Sequence, residues 1–207
     1  MKTYLFTIVL YLALFPILKA QSLEDWNIRP GARLHYKINN ATPFVVELQE
    51  IGDKVRFVWY KNGVRGYEIT FSPEAVESAT QQLNHIYGMM GMPPQKYDQA
   101  TSVFFSRRLY KDIISGREVT YYPYQEGTEK PEKIRMVSDT TWMARKIVQK
   151  DEKTKKYYRN LDVDFLMLPA YVCRLSNGNR VVILDSEKFP LILAMKLDFD
   201  IRLEGIE

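Results

Sequence analysis

Two short stretches near the C-terminal end echo one another: Leu161-Asp162-Val163-Asp164-Phe165 and Leu197-Asp198-Phe199-Asp200-Ile201. Paired carboxylates can hold a cation, and two that flank a glycosidic bond can act as acid and base. In a strand, successive side chains face opposite ways, so Asp162 and Asp164 share one face while Leu161, Val163 and Phe165 share the other. Asp198, Asp200, Arg202 and Glu204 alternate in the same way with Leu197, Phe199, Ile201 and Leu203. Such alternation belongs to strands packed on one side and wetted on the other. Burying these carboxylates without partners would cost several kcal/mol each, so solvated strand faces are the expected place for them.

The other reactive residues are sparse. Asp185-Ser186 begins like the Asp-Ser/Thr-Gly turn of aspartic proteases, but Glu187 stands where glycine is needed and there is no second copy. His35 and His85 are the only histidines, and no HExxH, GxSxG, GxGxxG or phosphate-loop motif occurs. His85 is followed by Met89, Met90 and Met92. Thioethers with an imidazole suit Cu(I), but a methionine-rich loop beyond an amphipathic helix fits adaptable apolar packing better. Tyr121, Tyr122 and Tyr124 could stack on a sugar ring, although tyrosines at a strand end ordinarily keep their hydroxyls wet. The run Lys150 to Lys156 reads as a solvated hairpin tip. No catalytic residue, metal site or cofactor is expected from this inventory.

The elements that would position these residues are mostly strands. "RLHYKI", "FVVELQEI", "VRFVWY" and "YEITF" are separated by turn signals, including Asn62-Gly63, and form an expected antiparallel meander. The period then changes. Ser72-Pro73-Glu74 offers a capping residue, a proline at the first helical position and an early acid. Val76, Ala79, Leu83 and Ile86 recur at helical spacing, which predicts one long amphipathic helix from Pro73 to Tyr87, ended by Gly88. A shorter helix is expected in "RRLYKDIIS", capped by Ser106 and stopped by Gly116. From "REVTYY" onward the chain returns to strands: "KIRMVS", "MARKIVQ", "YRNLDVDFLML", "YVCRL", "RVVILD", "LILAMKL" and "FDIRLEGI". The class implied is mainly β (α+β): a curved antiparallel sheet or incomplete β-barrel with one long and one short helix.

Residues 1–20 read as a signal peptide, with Lys2, an apolar run from Tyr4 to Leu18 and a small residue at Ala20. The run is shorter than the roughly 20 residues of a membrane span. Residues 21–207 then form a single β-rich domain, placed in the periplasm or secreted. Lys2 and Lys19 leave with the leader, which reduces the count to 27 basic against 25 acidic residues, so no nucleic-acid partner is implied. Cys173 is the only cysteine; no disulfide within the chain is available, and "AYVCRL" places it as a buried hydrophobe.

The leader, "IRPGARLHYKI" and the closing "VVILDSEKFPLILAMKLDFDIRLEGI" resemble a family of exported, signal-peptide-bearing proteins of Bacteroidota whose activity is uncharacterised. The order of strands, helix and further strands is similar to the half-barrels of periplasmic lipoprotein carriers, which implies an apolar concavity under a helical cover. The reading is an exported, non-enzymatic binding protein of the cell envelope, its partner an apolar or lipid-like small molecule or an envelope protein. Val76, Leu83, Ile86, Met89, Met90 and Met92 would line the ligand site. A hydrolase or carbohydrate-active protein using Asp185 or Asp164 is the alternative, and a structural envelope subunit a third.

Overall fold

Two tight turns show how the sequence sets the meander. Asn39 and Asn40 both take left-handed φ angles (51° and 58°), as do Asn62 and Gly63 (51° and 76°). These are the residue types that accept the left-handed backbone of a tight hairpin turn at little cost. They join β1 (Arg33–Ile38) to β2 (Thr42–Glu50), and β3 (Val55–Lys61) to β4 (Val64–Phe71). The computed structural model describes residues 22–83, 92–123, 130–148, 164–197 and 199–207. The expected leader, His85, Ile86, Met89, Met90, Tyr124, Lys150 to Lys156, Asp162 and Asp198 lie outside these residues.

The first helix starts where the sequence places it and stops far earlier. Ser72 caps α1 (Pro73–Ser78), its hydroxyl accepting the Ala75 N–H at 3.3 Å. The expectation of a helix to Tyr87 fails at Ala79, which turns to φ −59°, ψ 137°. Gln81–Gln82 then form β5. Tertiary hydrogen bonds replace the helical ones. Ser106 donates to the Ala79 carbonyl at 2.7 Å, Tyr122 N–H to Thr80 at 2.9 Å and Leu83 N–H to Thr101 at 2.7 Å. Helical spacing is a weak preference, and buried partners of this kind override it.

Strands β6 (Gln95–Tyr97) and β7 (Ala100–Thr101) follow, then α2 (Arg107–Ile114), the expected short helix. Ser106 caps it, and its apolar stripe Leu109, Tyr110 and Ile113 is buried. Strands β8 (Val119–Pro123), β9 (Glu132–Lys146), β10 (Phe165–Leu175), β11 (Arg180–Leu184), β12 (Ile192–Lys196) and β13 (Asp200–Ile206) complete the chain. "KIRMVS" and "MARKIVQ" are thus one strand, and β10 runs straight through Pro169, whose carbonyl accepts Asp185 N–H at 2.8 Å.

The sheet order is β6-β4-β3-β2-β1-β13-β12-β11-β10-β9-β8-β5-β7. It is mixed, not purely antiparallel as expected, because β4 pairs in parallel with β6 and β5 with both β7 and β8. It also curls until β13 meets β9 in parallel, Gly205 opposite Arg145 and Ile206 opposite Lys146. Strands β9 to β13 therefore form a ring of five. Gly205 makes the closure feasible: a Cβ there would lie 2.7 Å from Ile147 Cδ1 and 3.1 Å from the Arg145 carbonyl.

Alternation along β1 to β4 sends Leu34, Tyr36, Phe44, Val46, Phe57, Trp59, Ile69 and Phe71 into the core. Phe104 meets Phe71 edge-on at 5.3 Å and Phe189 at 5.2 Å, while Phe105 meets Tyr121 at 5.7 Å. These rings pack the core between the meander and the segment that carries Phe104 and Phe105. In β10 the buried set shifts from Leu168 and Ala170 to Cys173 and Leu175 across a bulge, where Val137 of β9 is left unpaired. Cys173 is buried as expected, and burial pushes its thiol up to about 12.

Candidate functional site

Of the residues expected to line a ligand, Val76 is fully buried beneath α1, Leu83 is half-buried, and Met92 is exposed. Ile86, Met89 and Met90 lie outside the described residues. Near the end of α1 an open cleft of about 570 Å³ is lined by Glu74, Ser78, Thr80, Gln81, Asp98 and Tyr122. Its wall mixes polar and apolar surface, while Ala75 and Val76 of α1 face the packed core.

Two larger clefts flank residues 22–33. One, of about 630 Å³, is bounded by Glu24, Arg29, Arg33, Glu47, Lys146 and Glu207. The other, of about 670 Å³, lies between Leu23, Ile28, Arg29, Ile51 and the Asp185 to Lys188 turn. Glu24, Arg29 and Pro30 border both, so this segment forms a wall of each. Trp26 and Ile28 anchor this segment in the core and hold its polar residues outward.

Charge pairing on the groove wall is incomplete. Arg33 donates to Glu47 at 2.9 Å, which Tyr60 OH also reaches at 3.2 Å, and this hydrogen bond raises the Arg33 pKa above its ordinary value. His35 Nε2 lies 2.9 Å from Glu207 Oε2. Arg29 and Lys146 have no ion pair among the described residues. Sequence reasoning missed this groove, whose charges come from segments more than a hundred residues apart.

The acids singled out in the sequence do not converge on a catalytic pair. Asp185 accepts Tyr110 OH at 2.7 Å; burial first, and this contact second, raise the Tyr110 phenol pKa. Glu187 pairs with Lys111 at 2.8 Å. Asp164 is exposed at the start of β10, whereas Asp185 N–H bonds to Pro169, five residues along that strand. At ~3.3 Å per residue the two lie about 16 Å apart, beyond the spacing of glycosidase carboxylates. Arg202 is exposed and Asp200 and Glu204 half-exposed, while Ile201 and Leu203 are buried, which is the expected wet strand face. No cluster of three metal-ligating side chains occurs among the described residues.

Phe165 departs from the expected pattern. It is 54% exposed, as are Met167 (52%), Met143 (63%) and Val148 (63%), all at one end of the β9–β10 hairpin. Phe165 stands opposite Arg145, and Met167 opposite Met143, so these four side chains share one face. The reverse face is committed to packing. Leu168 and Ala144 are buried, and Trp142 donates to the Leu203 carbonyl at 3.0 Å with Arg202 5.6 Å from its ring. The signal was present in "WM" and "FLML", which put apolar residues on both faces of strands that have a cover for only one.

No protein-family model, curated protein or solved structure matches the chain.

Proposed function

We propose that this is an exported, non-enzymatic binding protein of the cell envelope that holds an extended segment of a protein partner in the groove along residues 22–33. The carrying observation is the pair Arg29 and Lys146, basic side chains without ion-pair partners among the described residues, on the wall of the same groove of about 630 Å³. A carboxylate-bearing strand or loop of a partner would complete them, and charge complementarity of this kind sets specificity and association rate. The close ring contacts of Phe71, Phe104 and Phe189 in the core favour a surface-bound partner as the simpler reading. Export rests on the leader-like residues 1–20, and the periplasm or the exterior is the proposed location.

The test is fluorescence polarisation with labelled extended peptides, acidic and basic, against the chain beginning at Gln21. Acidic peptides should bind better, and Arg29→Glu with Lys146→Glu should weaken them about tenfold while leaving the unfolding midpoint in place. Equal binding of both peptide classes, or saturable uptake of a fluorescent fatty acid by the folded protein, would overturn the reading.

A further inference from the structure

Three short strands beyond α1 gather side chains that the core does not use. Gln81 of β5 stands opposite Tyr122 of β8 on one side and Ala100 of β7 on the other, in parallel register. The Tyr122 N–H bonds to the Thr80 carbonyl at 2.9 Å, and paired strands lie ~4.8 Å apart, so the phenol ring and the Gln81 amide stand side by side. Tyr121 is buried, and alternation turns Tyr122 outward, where it is 41% exposed. Together with Thr80, Gln99, Glu74 and Asp98, Gln81 and Tyr122 line the open cleft of about 570 Å³.

We infer that this cleft binds a neutral carbohydrate, with a sugar ring stacked on Tyr122 and its hydroxyls bonded by the amides of Gln81 and Gln99. Among the described residues, the Tyr122 ring and hydroxyl, the two amides and the Thr80 hydroxyl have no partner of their own. A primary amide offers a donor and an acceptor in one plane, which suits adjacent hydroxyls that each give and take a hydrogen bond. Glu74 and Asp98 only accept, so the ligand must bring donors, and sugar hydroxyls supply them. The C–H face of a sugar ring packs on an aromatic face while the phenol tip stays wet.

The same wall disfavours the other classes of ligand. A phosphate or carboxylate would meet two like charges. A cation would find Asp98 already paired with Lys96 at 3.3 Å. An apolar molecule would strip water from the amides and carboxylates without replacing its hydrogen bonds. A peptide would set as many carbonyl acceptors as N–H donors against the two acceptor-only carboxylates. The volume falls within the ~300–1,000 Å³ of small-molecule sites, and the open mouth admits a short oligosaccharide. No lining residue is shared with the groove along residues 22–33, so this site stands apart from the peptide reading.

A printed array of neutral oligosaccharides, with sulfated and uronic-acid glycans as its charged members, tests the inference on the chain from Gln21. At least one neutral member should bind, and isothermal titration with that sugar then measures the affinity. Tyr122→Ala, and separately Gln81→Ala with Gln99→Ala, should each weaken it about tenfold with an unchanged unfolding midpoint, whereas Tyr122→Phe should keep it. Gln99→Ala alone serves if the double variant fails to fold. Arg29→Glu with Lys146→Glu should leave glycan binding as it is, since neither residue lines this cleft. Binding of no neutral member, stronger binding of the charged ones, wild-type affinity in either alanine variant, or loss of peptide binding in Tyr122→Ala would overturn the inference.

Discussion

The indole of Trp59 lies across the backbone of Gly66, where a Cβ would come within 2.3 Å of Cε2 of the ring. The ring also stacks on Phe44 at 6.0 Å and meets Tyr67 edge-on at 5.4 Å, so it cannot retreat. Glycine in a strand ordinarily weakens it, and here it makes room for the largest side chain of the core.

Gly66→Ala should therefore destabilise the protein by about 1–3 kcal/mol, the usual cost of forcing extra volume into a packed core. A lower urea midpoint with an unchanged slope is the expected result. An unaltered midpoint would mean that the indole can move aside.

Ring closure at Gly205 gives a second test. Gly205→Ala should cost a comparable ~1–3 kcal/mol, because the added methyl meets Ile147 Cδ1 at 2.7 Å. That atom is the tip of a side chain. Ile147→Ala should thus restore part of the loss in the double variant, as a coupling between the two sites measured by equilibrium unfolding.

Burial, the largest cause for each, raises the phenols of Tyr36, Tyr110 and Tyr121 above their ordinary value near 10. These groups stay protonated in the folded chain while the unfolded chain ionises. The unfolded state then binds fewer protons, so stability is intact below about pH 10 and falls as pH rises beyond it. Thermal unfolding across the alkaline range should show this decline, and Tyr110→Phe should make it shallower. A flat profile above pH 10 would contradict the burial of these hydroxyls.

Much of the fold could be read from local chemistry. Asn62-Gly63 marked a hairpin, Ser72 and Ser106 marked helix starts, and alternation marked β1 to β4 and β13, because each signal acts within a few residues. What could not be read depends on distant partners. Nothing near Ala79 shows that Ser106 will take its carbonyl, and nothing near Gly205 shows that Ile147 will lie over it. The methionines after α1 stand out in the sequence because their residue type is conspicuous. Met143 and Met167 do not stand out in the same way, because their strands look equally apolar whether covered or bare.

The place of β13 bears on how the chain reaches this state. Almost last in sequence, it sits between β1 and β12, and Arg33 and Glu207 exchange backbone hydrogen bonds of 3.0 and 2.9 Å. The meander at one end of the chain and the ring at the other share this strand, so neither is finished before it arrives. Both parts of the sheet therefore depend on pairings between residues more than 150 positions apart, such as Leu34 with Ile206, and long-range pairing of this kind makes for slow folding.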